Sequence, residues 1–264
     1  MPAPNPVRQR AARDKLAGLF AHPSSVFIIH YACQSFDAEE ALGSPCVTAI
    51  AARHLESGET SVFSIHIEAE LRRLGPIQVL SRIEELECAM LAKFFDFLAT
   101  NRMMRFVHWN MRDAMYGFAA VEHRYRVLGR EPFCLPESQK LDLARLLIDM
   151  YGSAYVERPY LEGLAIRNDL ALQGFLSGPI EAEAFERGNY ALVQRSVLAK
   201  VRLQFDILHL AHDRTLKTRA NWWTLNTARL REAVELFEDN PVKALAGLGF
   251  AGLSAGFLVI WRLF

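Results

Sequence analysis

SVFIIHYAC, residues 25–33, is a nine-residue apolar run in which His30 is the only strongly polar side chain. A run this short, rich in β-branched and aromatic residues and preceded by Pro23 and Ser24, reads as a strand buried on both faces. Working outward, CVTAIAARHL (46–55) and SVFSIHIEA (61–69) have the same character, and ESGET (56–60) between them carries the Gly that a hairpin needs. Three strands therefore precede any long helix.

The first long helix is expected in SRIEELECAMLAKFFDFLATN (81–101). Ser81 and Glu84 form a capping-box pattern there, and Ile83, Leu86, Met90, Leu91, Phe94 and Leu98 share one face. MMRFVHW (103–109) follows as a strand, and DAMYGFAAVEHRYRVLG (113–129) as a helix capped by Asp113 and ended by Gly129. The order is β-β-β-α-β-α. Helices then predominate: QKLDLARLLIDMYG (139–152), RPYLEGLAIRN (158–168), and one long helix from about Ile180 through Leu216.

This element order resembles the ribonuclease H-like fold, an α/β mixed sheet, and within it the DEDD family of 3'-5' exonucleases, over roughly residues 25–212. The resemblance implies two carboxylates on the first strand as DxE, a third after the fourth strand and a fourth on a late helix. Such acids converge to hold two divalent ions, Mg or Mn, about 4 Å apart. HWNMRD (108–113) is similar to the family's segment after the fourth strand and puts Asp113 at the third acid. The first strand offers His30 and Ala32 in place of DxE, and YALVQ (190–194) matches a YxxxD motif at Tyr190 but ends in Gln194. Three of the four acids are thus replaced, and neutral Gln or Ala cannot balance two divalent cations.

Two readings of the HWNMRD corner stand side by side. In one, His30, His108 and Asp113, with Asp37, bind a single metal or do acid-base work as a metal-dependent 3'-5' exonuclease. In the other, the histidines hydrogen-bond inside the core and Asp113 caps a helix. Asn110, Arg112, Tyr116, Arg124, Tyr190 and Gln194 form the expected nucleic-acid-binding set, with Arg126, Arg130 and Tyr125 extending a basic, aromatic face. A solvated helix surface accounts equally well for those arginines. His66 is expected on a strand, and His209 and His212 have chelating spacing on a long helix.

Bulk composition bounds these readings. The 264 residues are 51% apolar, and 30 Lys and Arg balance 30 Asp and Glu, so no global field favours nucleic acid or anionic lipid. Four scattered cysteines without a CxxC pair exclude a zinc knuckle and suit a reduced, cytosolic setting. Residues 1–24 read as a loose lead-in to a short helix without a signal core.

At the other end, ALAGLGFAGLSAGFLVIW (244–261) carries no charge and, at about 1.5 Å per residue, is long enough for one bilayer crossing. Its glycines would each cost a soluble helix about 1 kcal/mol relative to alanine. Gly252 and Gly256 have the GxxxG spacing that lets membrane helices approach closely. The expected organisation is therefore lead-in 1–24, exonuclease-like domain 25–220, amphipathic connecting helix 221–240 and transmembrane segment 241–264. The functional expectation is a pseudonuclease on the cytoplasmic side of the inner membrane that binds nucleic acid or a protein partner. It would form homo-oligomers through the tail and act as a prokaryotic antiviral membrane effector.

Overall fold

A computed structural model of the chain describes residues 5–34, 44–112 and 116–219. Among them the helices are α1 (Pro6–Phe20), α2 (Ile65–Leu71), α3 (Pro76–Ser81), α4 (Ile83–Thr100), α5 (Phe118–Val127), α6 (Leu143–Tyr151), α7 (Tyr160–Arg167), α8 (Gly178–Glu186) and α9 (Tyr190–His212). The strands are β1 (Val26–Cys33), β2 (Val47–His54), β3 (Thr60–Ser64), β4 (Arg105–His108) and β5 (Lys140–Asp142). They form one mixed five-stranded sheet in the order β3-β2-β1-β4-β5. The first three strands are an antiparallel meander, while β4 runs parallel to β1 and β5 parallel to β4. The chain is thus α/β, with a topology consistent with the ribonuclease H-like expectation.

β1 is central, and its alternation divides the core. Val26 and Ile28, with Val107, pack into the layer built from α1, α6, α7 and α9. Phe27, Ile29 and Tyr31, with Phe106, pack into the layer built from α4 and α5. A strand covered on both faces must be apolar at every position, which is why residues 25–33 read as an unbroken run. α9 lies across β1 and β2, and α4 covers β2 and β3 on the opposite face.

Several local expectations are corrected. The third strand ends at Ser64, whose hydroxyl accepts from the Ile67 N–H at 3.0 Å and starts α2, so His66 is helical. Ser81 does not cap α4; it closes α3 by donating to the Gln78 carbonyl, and α4 begins after Arg82 without a side-chain cap. Residues 140–142 are the edge strand β5 rather than the first turn of a helix, because β4 offers them a parallel partner. The long helix expected from about Ile180 is two, broken where Gly188 takes φ of +70°.

Residues 6–20, expected within a loose lead-in, are a 15-residue helix packed on α6 with Ala12, Leu16 and Leu19 buried. His209 and His212 contact Phe20 through their rings, His212 stacked at 3.8 Å and His209 edge-on at 5.0 Å. The expected connecting helix 221–240 and the span 241–264, with Gly252 and Gly256, lie outside the described residues. No helix of the described residues is long and apolar enough to cross a membrane.

Candidate functional site

The fold brings chemistry to the carboxyl end of β1. The parallel register pairs Ile29 with His108, so His108 shares the Ile29 face, toward α5, and His30 projects from the opposite face, toward α9. The two imidazoles are near in sequence register but do not face one another across a common site. Asp113, the acid expected between them, and Asp37 lie outside the described residues.

His108 has a defined structural task. Its Nδ1 accepts the Met111 N–H at 3.1 Å, which leaves the ring proton on Nε2. Its ring meets Phe118 edge-on at 5.6 Å. Burial lowers its pKa from the ordinary 6.5 to about 4, against the opposing pull of Asp142. Asp142, at the end of β5, organises the rest of this corner. It caps α6 by accepting from the Arg145 N–H at 3.2 Å, accepts the Asn110 N–H at 3.1 Å, and pairs with Arg112 Nε. Asn110 adopts φ of +55°, a left-handed conformation that asparagine tolerates, and so turns the chain out of β4 toward Asp142. The HWNMR segment is therefore a polar knot tying β4 to β5 and α6.

The other residues of the expected nucleic-acid-binding set are largely committed to the fold. Arg124 is buried, with its guanidinium forked onto Glu87 at 2.6–3.0 Å, so it does not belong to an exposed basic face. Tyr190 is buried against Phe185 with ring centroids 5.6 Å apart. Gln194 accepts from the Ser64 hydroxyl at the end of β3, two strands away from β1. Tyr116 stacks on Tyr31 at 4.7 Å and donates to the Tyr31 carbonyl at 3.1 Å, while the Tyr31 hydroxyl accepts from the Gly117 N–H at 3.0 Å. This clasp pins the chain after β4 over the end of β1.

On the α9 side of that clasp opens a cleft of about 610 Å³, lined by His30, Trp109, Tyr116, Tyr160, Glu181 and Lys200 among others. Its floor is an ion pair that sequence reading did not single out. Lys200 Nζ of α9 donates to Glu181 Oε2 of α8 at 2.7 Å, and both side chains are buried. The ammonium also lies 5.8 Å from the centre of the Phe175 ring. Glu181 Oε1 and His30 Nδ1 are buried without a hydrogen-bond partner among the described residues. Burial, followed by the nearby Lys200 and His108 charges, holds His30 well below its ordinary pKa, so its ring is neutral at pH 7.

The signal for this floor was present in the sequence. Val193, Val197, Lys200 and Gln204 fall at i, i+4, i+7 and i+11 on the buried seam of α9, where charged and amide side chains are out of place.

The donor set does not fit a two-metal centre. His30 and Ala32 stand where paired acids would be needed, and the nearby Lys200 ammonium opposes divalent cations. No group of three or more His, Cys, Asp or Glu side chains is gathered to hold a metal among the described residues. The chain matches no protein-family model, no curated protein and no solved structure.

Proposed function

We propose that residues 25–219 form a ribonuclease H-like domain of exonuclease descent that binds single-stranded nucleic acid without hydrolysing it. The apolar segment 244–261 tethers it to the membrane. The observation that carries this reading is the end of β1: the sheet order and strand senses place His30 and Ala32 where the family's first two acids would stand, and Lys200 lines the same cleft. Trp109, Tyr116 and Tyr160 supply stacking surfaces there, which suit unpaired bases. The exonuclease alternative needs His30 and His108 on one side of the sheet, and the β1–β4 register opposes it.

Full-length protein in mild detergent should bind labelled single-stranded DNA or RNA, with affinity falling as salt rises, and should leave the strand intact in magnesium or manganese. Degradation that disappears in Asp113→Ala would overturn the proposal in favour of a metal-dependent nuclease.

The tether has its own expected result. Leu245, Leu248, Phe250, Leu253, Phe257, Leu258, Val259 and Ile260 each favour insertion by about 0.3–0.6 kcal/mol at a helix centre, so the span is favourable but marginal. The full chain should stay with membranes through carbonate extraction. Replacing Gly252 and Gly256 with isoleucine should preserve insertion while reducing homo-oligomers and any toxicity linked to the membrane. Recovery of the full chain as a soluble monomer without detergent would remove the membrane half of the proposal, and with it the antiviral-effector role.

A further inference from the structure

We infer that the Glu181–Lys200 pair on the floor of the β1 cleft is a base-reading site that takes the Watson–Crick edge of guanine. The inference deepens the nucleic-acid reading and rests on it only for the source of the base. The cleft's unmet polar atoms decide the ligand class. Lys200 is neutralised by Glu181 at 2.7 Å, and His30 beside them is uncharged, so the floor has no surplus positive charge to attract a phosphate. A carboxylate at that spot would repel one. What the floor lacks is a donor for Glu181 Oε1, which is 92% buried with its side chain and has no partner among the described residues.

Side by side, Lys200 Nζ, Glu181 Oε2 and Glu181 Oε1 offer one donor and two acceptors. Guanine presents the complementary order, with O6 accepting and N1–H and N2–H donating. It would take an ammonium hydrogen from Lys200 and give two hydrogens to the one carboxylate. Adenine, cytosine and uracil each offer a single donor to the carboxylate at that edge, so they satisfy the floor less completely. Trp109 and Tyr160 line the same cleft and offer faces for stacking a base, and a volume of about 610 Å³ admits a nucleoside.

Calorimetric titration of the full chain in detergent with guanosine, inosine, adenosine, cytidine and uridine tests this directly. Guanosine should bind most tightly. Inosine, which keeps O6 and N1–H but lacks the 2-amino group, should bind on the order of tenfold more weakly. That ligand pair needs no variant, so it stays informative if substitutions at the floor impair folding. Glu181→Gln should abolish the guanosine-over-inosine preference, while Trp109→Ala should weaken every nucleoside by a similar factor.

Oligonucleotides bearing one guanine at the 3' end, at the 5' end or internally, compared with free guanosine, show whether the base is read from a strand or free. Nucleosides binding equally, or not at all, would overturn the inference even if strands still bind. Guanosine selectivity without any strand binding would sustain the site and overturn the strand-binding proposal instead.

Discussion

Arg124→Leu is expected to destabilise the domain by about 3–5 kcal/mol, because it strands a buried carboxylate. Glu87 is fully buried on α4 and spends both oxygens on Arg124, with three contacts of 2.6–3.0 Å. The same carboxylate accepts the Val47 N–H at 2.6 Å, and Arg124 reaches the Ser44 carbonyl at 3.3 Å, so the pair fastens the start of β2 to α4 and α5. Removing the guanidinium leaves the negative charge without compensation in a low-dielectric interior.

The double variant Glu87→Leu/Arg124→Leu should recover part of the loss, since no lone charge remains. It stays destabilised by about 1–3 kcal/mol through the unpaired Val47 N–H. Urea melts of wild type, both single variants and the double variant measure this. An Arg124→Leu chain that keeps its stability and instead loses nucleic-acid affinity would return Arg124 to the exposed basic face read from the sequence.

Acidification should destabilise the fold between about pH 6.5 and 4, before most carboxylates titrate. The folded chain keeps His108 neutral down to about pH 4 and also holds His30 well below its ordinary value, in both cases chiefly by burial. In the unfolded chain the same imidazoles take up protons near 6.5. Across this window the unfolded state binds more protons than the folded one, so stability is fully present above about pH 6.5 and declines as pH falls toward the folded values. For His108 the interval from 6.5 to about 4 corresponds to roughly 3 kcal/mol.

Denaturant melts at half-unit steps from pH 7.5 to 4.5 should show the decline. His108→Gln, which keeps an acceptor for the Met111 N–H, should flatten it by the larger resolved share and leave a remainder from His30. A melting midpoint unchanged over that range would mean that both rings ionise freely in the folded chain.

How far the sequence was legible follows the range of the interactions involved. Local pattern was enough for β1, β2 and the hairpin at Gly58, since burial on both faces and a left-handed turn residue leave marks within ten residues. The apolar stripe of α4 was legible for the same reason, with Leu86, Met90, Leu91, Phe94 and Leu98 all buried as their spacing implies. The α/β class and the order of the first strands and helices followed from those elements.

Tertiary structure decided what depends on partners far along the chain. β5 is a strand only because β4 lies beside it, and SVFSIHIEA divides at Ser64 because that hydroxyl caps a helix there. Arg124 and Glu87 are separated by 37 residues, and Lys200 and Glu181 by 19, so neither pairing is written in any local spacing. A solitary arginine reads as a phosphate ligand until its carboxylate is found. HWNMR likewise read as a catalytic corner until Asp142, 32 residues after Asn110, proved to organise it. Sequence by itself determined which segments must be buried, because the hydrophobic effect acts on each side chain wherever it sits. Which polar groups neutralise one another, and which are left facing the cleft, was settled by the sheet order and the crossing of α8 and α9, because hydrogen bonds and ion pairs require a particular partner at a particular distance.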